Sequence, residues 1–160
     1  AAALASKAGW AMEAIQERLA KIREKTEVIY TLDTLEYLRR GGRIGRVQAM
    51  AGALLHLKPV IRVDTDGKYS TVGKARTIAQ GLSSIVDHLH AKYVSAPLWV
   101  TVLHGRFAEQ AEALAGALKE KLNIGKLEIR RISPVLGVHT GPGVVGAAVV
   151  PMDIVRDLGV

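Results

Sequence analysis

The segment His139-Thr140-Gly141-Pro142-Gly143 gathers an imidazole, a hydroxyl and two glycines. Glycine permits positive φ and close backbone approach, and proline fixes its own φ while withholding a donor, so such a loop can wrap a small polar group. The chemistry this suits is capture of an anion by His139 and Thr140. The same residues also make an ordinary tight turn, and the flanking stretches 132–138 and 144–150 read as strand-like. Thr140 in particular can bond its own backbone instead of a ligand. A second candidate is Arg43, whose planar guanidinium is the right fork for a carboxylate or phosphate. It follows Gly41-Gly42, which can turn the chain and aim the side chain into a cleft. The alternative is a helix C-terminal arginine answering the dipole, the role read for Arg39 and Arg40.

Other chemistry is not legible. His56, His88, His90 and His104 have no metal-ligand spacing with another His, Asp or Glu, and there is no cysteine, so no metal site is expected. His104 lies at the C-terminal end of an expected strand, a common functional place in α/β domains, without a recognisable partner. No phosphate-binding glycine motif and no interpretable Ser/His/Asp arrangement occurs, so the chain is expected to bind rather than catalyse.

The elements that must position these groups alternate between helix and strand. Leu4, Ala8, Met12, Ile15, Leu19 and Ile22 recur at helical spacing, which predicts one amphipathic helix over residues 1–25. A short β-rich run over 28–32 precedes a brief helix capped by Thr34 and ended by the glycines at 41 and 42. Residues 45–56 read as a helix apolar on more than one face, burying itself against two neighbours or along an apolar ligand. Residues 59–63 and 68–72 read as strands joined by an Asp64–Gly67 turn. Helices are expected around 78–93 and 107–122, and strands at 98–103, 127–132 and 144–150. The sum is an α/β layered domain, a mixed β-sheet flanked by helices.

At 160 residues and 49% hydrophobic composition, the chain can bury one full core. The absence of cysteine fits a reducing cytoplasm. The longest apolar stretch, 143–150, is about half of a membrane span. The alanine-rich start, without Met or a basic region before an apolar one, is expected to be the interior of a longer protein and not a signal peptide. Net charge is +7, and residues 36–76 carry nine basic residues against three acidic ones. Such a patch suits an anionic partner or is a solvated face. A nucleic-acid partner is not expected, because only Tyr37 and Tyr69 interleave with the basic residues.

Four segments in this order, 34–44 (TLEYLRRGGRI), 57–61 (LKPVI), 73–77 (GKART) and HTGPG, closely resemble the C-terminal half of DegV-family proteins, bacterial fatty-acid-binding proteins that include the binding subunit of fatty acid kinase. The resemblance runs over about residues 1–150. It implies that residues 1–160 are a DegV-like C-terminal lipid-binding domain. The family's N-terminal domain, whose Ser/Thr segment completes the carboxylate site, has no counterpart here. It further implies a fatty acid as ligand and no other cofactor. The carboxylate would be held at a polar mouth by His139, Thr140 and Arg43. The acyl chain would occupy an apolar tunnel, for which Val47, Met50, Ala51, Leu54 and Leu55 are the lining candidates, though they could equally be core. A separate kinase would phosphorylate the carboxylate for phospholipid synthesis, with Arg76 and Lys74 of the GKxR segment at its docking surface. An isolated lobe would be prone to self-association. Two other functions stay open: a phosphotransfer domain related to dihydroxyacetone kinases, with His139 holding a carbonyl substrate, and a nucleic-acid-binding module using residues 36–76.

Overall fold

A computed structural model of the chain describes residues 1–47 and 57–158. Six strands, β1 (Glu27–Leu32), β2 (Lys58–Val63), β3 (Tyr69–Ala75), β4 (Leu98–His104), β5 (Ile124–Arg131) and β6 (Val144–Pro151), form one sheet in the order β3-β2-β1-β6-β4-β5. The β4–β5 pair is parallel, and every other pairing is antiparallel. The expected mixed sheet is therefore present. Its hairpin closes at Asp64–Lys68, where Gly67 supplies a φ of +77° and donates to the Asp64 carbonyl.

Helices α4 (Ile78–Lys92) and α5 (Ala108–Lys121) cover one sheet face. Their apolar positions Ile85, Leu89, Leu114 and Leu118 meet Ile29, Val60, Val100, Val102, Val145 and Val149 from the strands, all fully buried. Each such side chain contributes about 1.5–3 kcal/mol of burial, which makes this the main core. The opposite face is covered in two pieces. At one end α1 (Ala2–Lys7) and α2 (Met12–Lys25) pack Ala5 and Ile15 with Val155 and Leu158. At the other, α3 (Glu36–Arg40) brings Leu38 onto Tyr30, Leu32, Ile61 and Val144.

Two expectations are corrected. Residues 1–25 are two helices, because Gly9 adopts a φ of +78° and the chain breaks after Lys7; Trp10 then stacks under Arg18, 5.1 Å from ring centre to guanidinium. Residues 132–138 are not strand-like. Pro134–Thr140 form a helix, α6, whose cap Ser133 accepts from the Leu136 amide at 3.4 Å, with proline in the first turn. The Ser-Pro start outweighs the β-branched content, since it satisfies an otherwise orphaned amide and presets φ. HTGPG is thus the last turn of a helix and the link into β6, not a turn between strands. Smaller shifts follow local capping. The brief helix runs Glu36–Arg40 after Thr34, whose hydroxyl accepts from the Glu36 amide at 3.1 Å. Of the expected 45–56 helix, Gly45–Val47 form a 3-10 turn, and 48–56 lie outside the described residues.

Candidate functional site

The loop after α6 lies at the end of the sheet where β1 and β4 finish and β6 begins, as the pairings Leu32↔Val144 and His104↔Val145 require. Backbone bonds clamp it from both sides. The amide of Asp33 donates to the Gly143 carbonyl at 2.8 Å, that of Gly105 to Val144 at 2.9 Å, and that of Arg106 to Pro142 at 2.7 Å. Close packing explains the glycines. Gly141 has a φ of +79° and lies against the Tyr37 ring, Gly105 against the Pro142 carbonyl, and a Cβ on Gly143 would come within 2.6 Å of the Asp33 Cβ. Lys58 at the start of β2 donates to both the carbonyl and carboxylate of Asp33, at 2.7 and 2.5 Å, tying this corner to β2.

His139 sits half-buried in the last turn of α6. Its Nδ1 is buried without a hydrogen-bond partner and packs on Gly41, where any Cβ would overlap it. Arg43 is exposed, and its Nη1 donates to the Gly41 carbonyl at 2.8 Å. The structure therefore brings His139 and Arg43 to the same backbone residue from two distant segments. Thr140 is buried, and its hydroxyl donates to the Leu136 carbonyl of its own helix at 3.0 Å. Its proton is engaged within the helix.

Beneath α6 lies a cavity of about 90 Å³. Val28 and Tyr30 of β1, Val63, Tyr69, Leu103 and Leu136 wall it with apolar surface, and Thr140 closes it on the loop side. Tyr30 and Tyr69 meet edge to face, with ring centres 6.1 Å apart. Tyr30 occupies this place because its β6 partner is Gly146, where a Cβ would overlap the tyrosine. The Tyr30 hydroxyl is buried without a bond, and burial, then the adjacent Tyr69 phenol, pushes its pKa up. Two larger clefts, of about 730 and 710 Å³, are lined by charged and backbone groups: one by Glu27, Arg62 and Asp64, the other by Tyr37, Arg106 and Arg131 on the outer side of the loop.

The remaining candidates fall elsewhere. Val47 is fully buried in the cluster with Leu38 and Ile61; Met50, Ala51, Leu54 and Leu55 lie outside the described residues. Lys74 and Arg76 are exposed near the end of edge strand β3, at the same end of the sheet as the loop, since Ala75 pairs with Lys58. The basic segment is largely paired: Arg39 and Arg40 with Glu36, Arg62 with Asp64, Lys68 with Asp66, and Lys58 with Asp33. His88 contacts the buried carboxylate of Glu27 at 3.1 Å, and Lys92 pairs with the same group. Among the described residues there is no group of three metal-ligating side chains, and no helix is long and apolar enough to cross a membrane. Tyr30, Tyr69 and Leu136 were not legible as cavity residues; the faint signal was Gly146 within an otherwise apolar strand, where a missing side chain marks a close approach.

The family model described as "Uncharacterised protein, DegV family" matches residues 1–152. A DegV domain-containing protein of Clostridium perfringens is 43% identical over 143 residues, 89% of this chain and 51% of that protein. Another, from Deinococcus radiodurans, is 39% identical over 153 residues, 94% of this chain and 53% of its own length. Among solved structures, the fatty acid binding DegV family protein of Streptococcus agalactiae has a TM-score of 0.83 at 28% identity, over 94% of this chain and 53% of that one. A Thermus thermophilus DegV family protein described by its fatty acid binding has a TM-score of 0.85 at 29% identity, over 94% and 54%. The chain spans about half the length of these relatives. With a match over nearly every residue and the sheet order, helices and clamped loop in place, the chain belongs to the DegV family.

Proposed function

We propose that this chain is the C-terminal lobe of a fatty-acid-binding protein, in which an acyl chain enters the apolar cavity under α6 and its carboxylate meets His139 and Arg43 at the rim. The observation that carries this reading is that Thr140 lines the apolar cavity while its neighbour in the chain, His139, packs on Gly41, the glycine whose carbonyl accepts from Arg43. A carboxylate leaving water for such a place must be hydrogen-bonded or paired, or burial costs several kcal/mol. A cavity of about 90 Å³ is well below the roughly 300–1,000 Å³ of a pocket enclosing a whole ligand. A second lobe, supplying hydroxyl donors and the rest of the tunnel, would complete it. The protein is then a cytoplasmic carrier that presents the carboxylate to a separate kinase, with Lys74 and Arg76 at the docking edge and no reaction performed by the lobe itself.

Solvent extraction of the full-length protein followed by mass spectrometry tests the reading. A stoichiometric fatty acid is expected in the extract. Recovery of no lipid, together with no heat on titrating oleate or palmitate, overturns it. Titrating the isolated lobe should give an affinity at least about tenfold weaker than the full-length protein, since each charge-assisted bond from the second lobe is worth about 1.5–3 kcal/mol. Equal affinities would mean that the pocket lies wholly within these residues.

A further inference from the structure

Gly41 and Gly42 are adjacent glycines with different reasons to be glycine. Gly42 has a φ of +66° and nothing within 4 Å of where a Cβ would point, so its requirement is conformational. Gly41 has a φ of −79° and a ψ of 0°, a backbone state open to L-residues. What stands against a side chain there is chiefly the His139 ring, whose Nδ1 would overlap a Cβ and whose Cε1 lies 3.3 Å from where that Cβ would sit, with the Tyr37 carbonyl at 3.1 Å. The same residue's carbonyl holds Arg43 through Nη1 at 2.8 Å, and its own amide is fixed by the Tyr37 carbonyl at 2.9 Å, at the end of α3.

We infer that Gly41 is a positioning residue for the anion site: its bare α-carbon seats Nδ1 of His139 as an unprotonated ring nitrogen, leaving Nε2 as the N–H that faces the ligand, and its carbonyl orients Arg43. Nδ1 is buried and, among the described residues, forms no hydrogen bond. A proton there would be a buried donor without a partner, whereas a lone pair lies against the weakly polar Cα hydrogens of glycine. The ring's proton therefore belongs on Nε2, the only other nitrogen it has. The inference deepens the fatty-acid reading and rests on it for the identity of the anion, but the seating of His139 is a property of the ligand-free protein.

Two measurements on the full-length protein separate these. In the first, ¹⁵N shifts of the His139 ring, recorded without ligand at a pH where it is neutral, should show Nε2 protonated, and Gly41→Ala should move both ring signals. A ring protonated on Nδ1, or signals unmoved by Gly41→Ala, overturns the inference whether or not fatty acid binds. The second is a double-mutant cycle read by oleate titration. Gly41→Ala and His139→Ala should each weaken binding about tenfold, and the double variant should match His139→Ala within about twofold, because the collision is already gone. An equal loss from Gly41→Ala in both backgrounds would mean that the glycine serves the backbone alone. If Gly41→Ala fails to fold, recovery of folding in the double variant supports the seating, and failure of both overturns it. Absence of oleate binding by the unaltered protein removes the fatty-acid reading while the ring signals still decide the seating.

Discussion

Glu36 accepts from Arg39 and Arg40 within the same helix turn, at 2.8–3.0 Å and 2.6 Å. Those hydrogen bonds, Arg39's first, hold its carboxyl down from 4.5 to about 2. A carboxyl depressed on folding contributes stability that is complete above its ordinary pKa and lost as pH falls through the folded value. The α3 ion pairs should therefore persist at pH 4 and disappear only toward pH 2. Carboxyl ¹³C shifts of Glu36 followed through that range check this; a midpoint near the ordinary value would show that the arginines are not engaged. At Gly146 the issue is space. Gly146→Val drives a side chain into the Ile29 carbonyl and the Tyr30 backbone and Cβ of the neighbouring strand, so the loss should reach or exceed the roughly 1–3 kcal/mol of ordinary overpacking. Urea unfolding should show that loss, with oleate binding falling as Tyr30 is pushed into the cavity.

At the level of elements, capping decides where local order is secure. Thr77 accepts from the Gln80 amide at 3.2 Å while the Gln80 side chain accepts from the Arg76 amide at 2.9 Å, so α4 is capped in both directions. Since α4 anchors the main core, Thr77→Ala should lower global stability by about 1 kcal/mol. Ser133→Ala should instead act locally, raising hydrogen exchange in α6 without a comparable change in the urea midpoint, because Val135 and Val138 of that helix are exposed. A shared global effect would tie α6 to the main core. These differences mark what was legible in the sequence. The long helices and the Asp-Gly hairpin were readable, because periodicity and turn chemistry agree there. The break at Gly9 was hidden by a helical pattern that continues across it. α6 was hidden because the stretch 132–138, with its β-branched Ile132, Val135 and Val138, reads as a strand, which masks the Ser133-Pro134 helix start within it. Arg43 and His139 could be named as chemistry, yet their meeting at Gly41 is a long-range contact that no local pattern records.

At the scale of the whole molecule, the candidate residues gather at one end of the sheet, with Lys74 on the outer strand, Arg76 just past it and His139 nearer the sheet's centre. On the proposed carrier function, Arg76→Ala should leave oleate affinity unchanged and slow turnover by the proposed kinase, since the two places are separate in the fold. Parallel loss of both would move Arg76 into the pocket. The sheet order carries one more implication. Among the described residues β1 lies between β2 and β6, so the earliest of these strands is completed only by the latest. During synthesis, β1–β2–β3 can assemble with α4 while Tyr30 and Val28 still lack their β6 neighbours. A nascent chain stalled before Val144 should then remain sensitive to protease in the sheet and carry an open sticky edge, with the sheet becoming resistant once residues 144–151 leave the ribosome and α1 and α2 only after Val155 and Leu158 follow. The cavity under α6, walled by Val28 and Tyr30 of β1 together with Val144 and Gly146 of β6, therefore cannot close until both ends of this fold have been made.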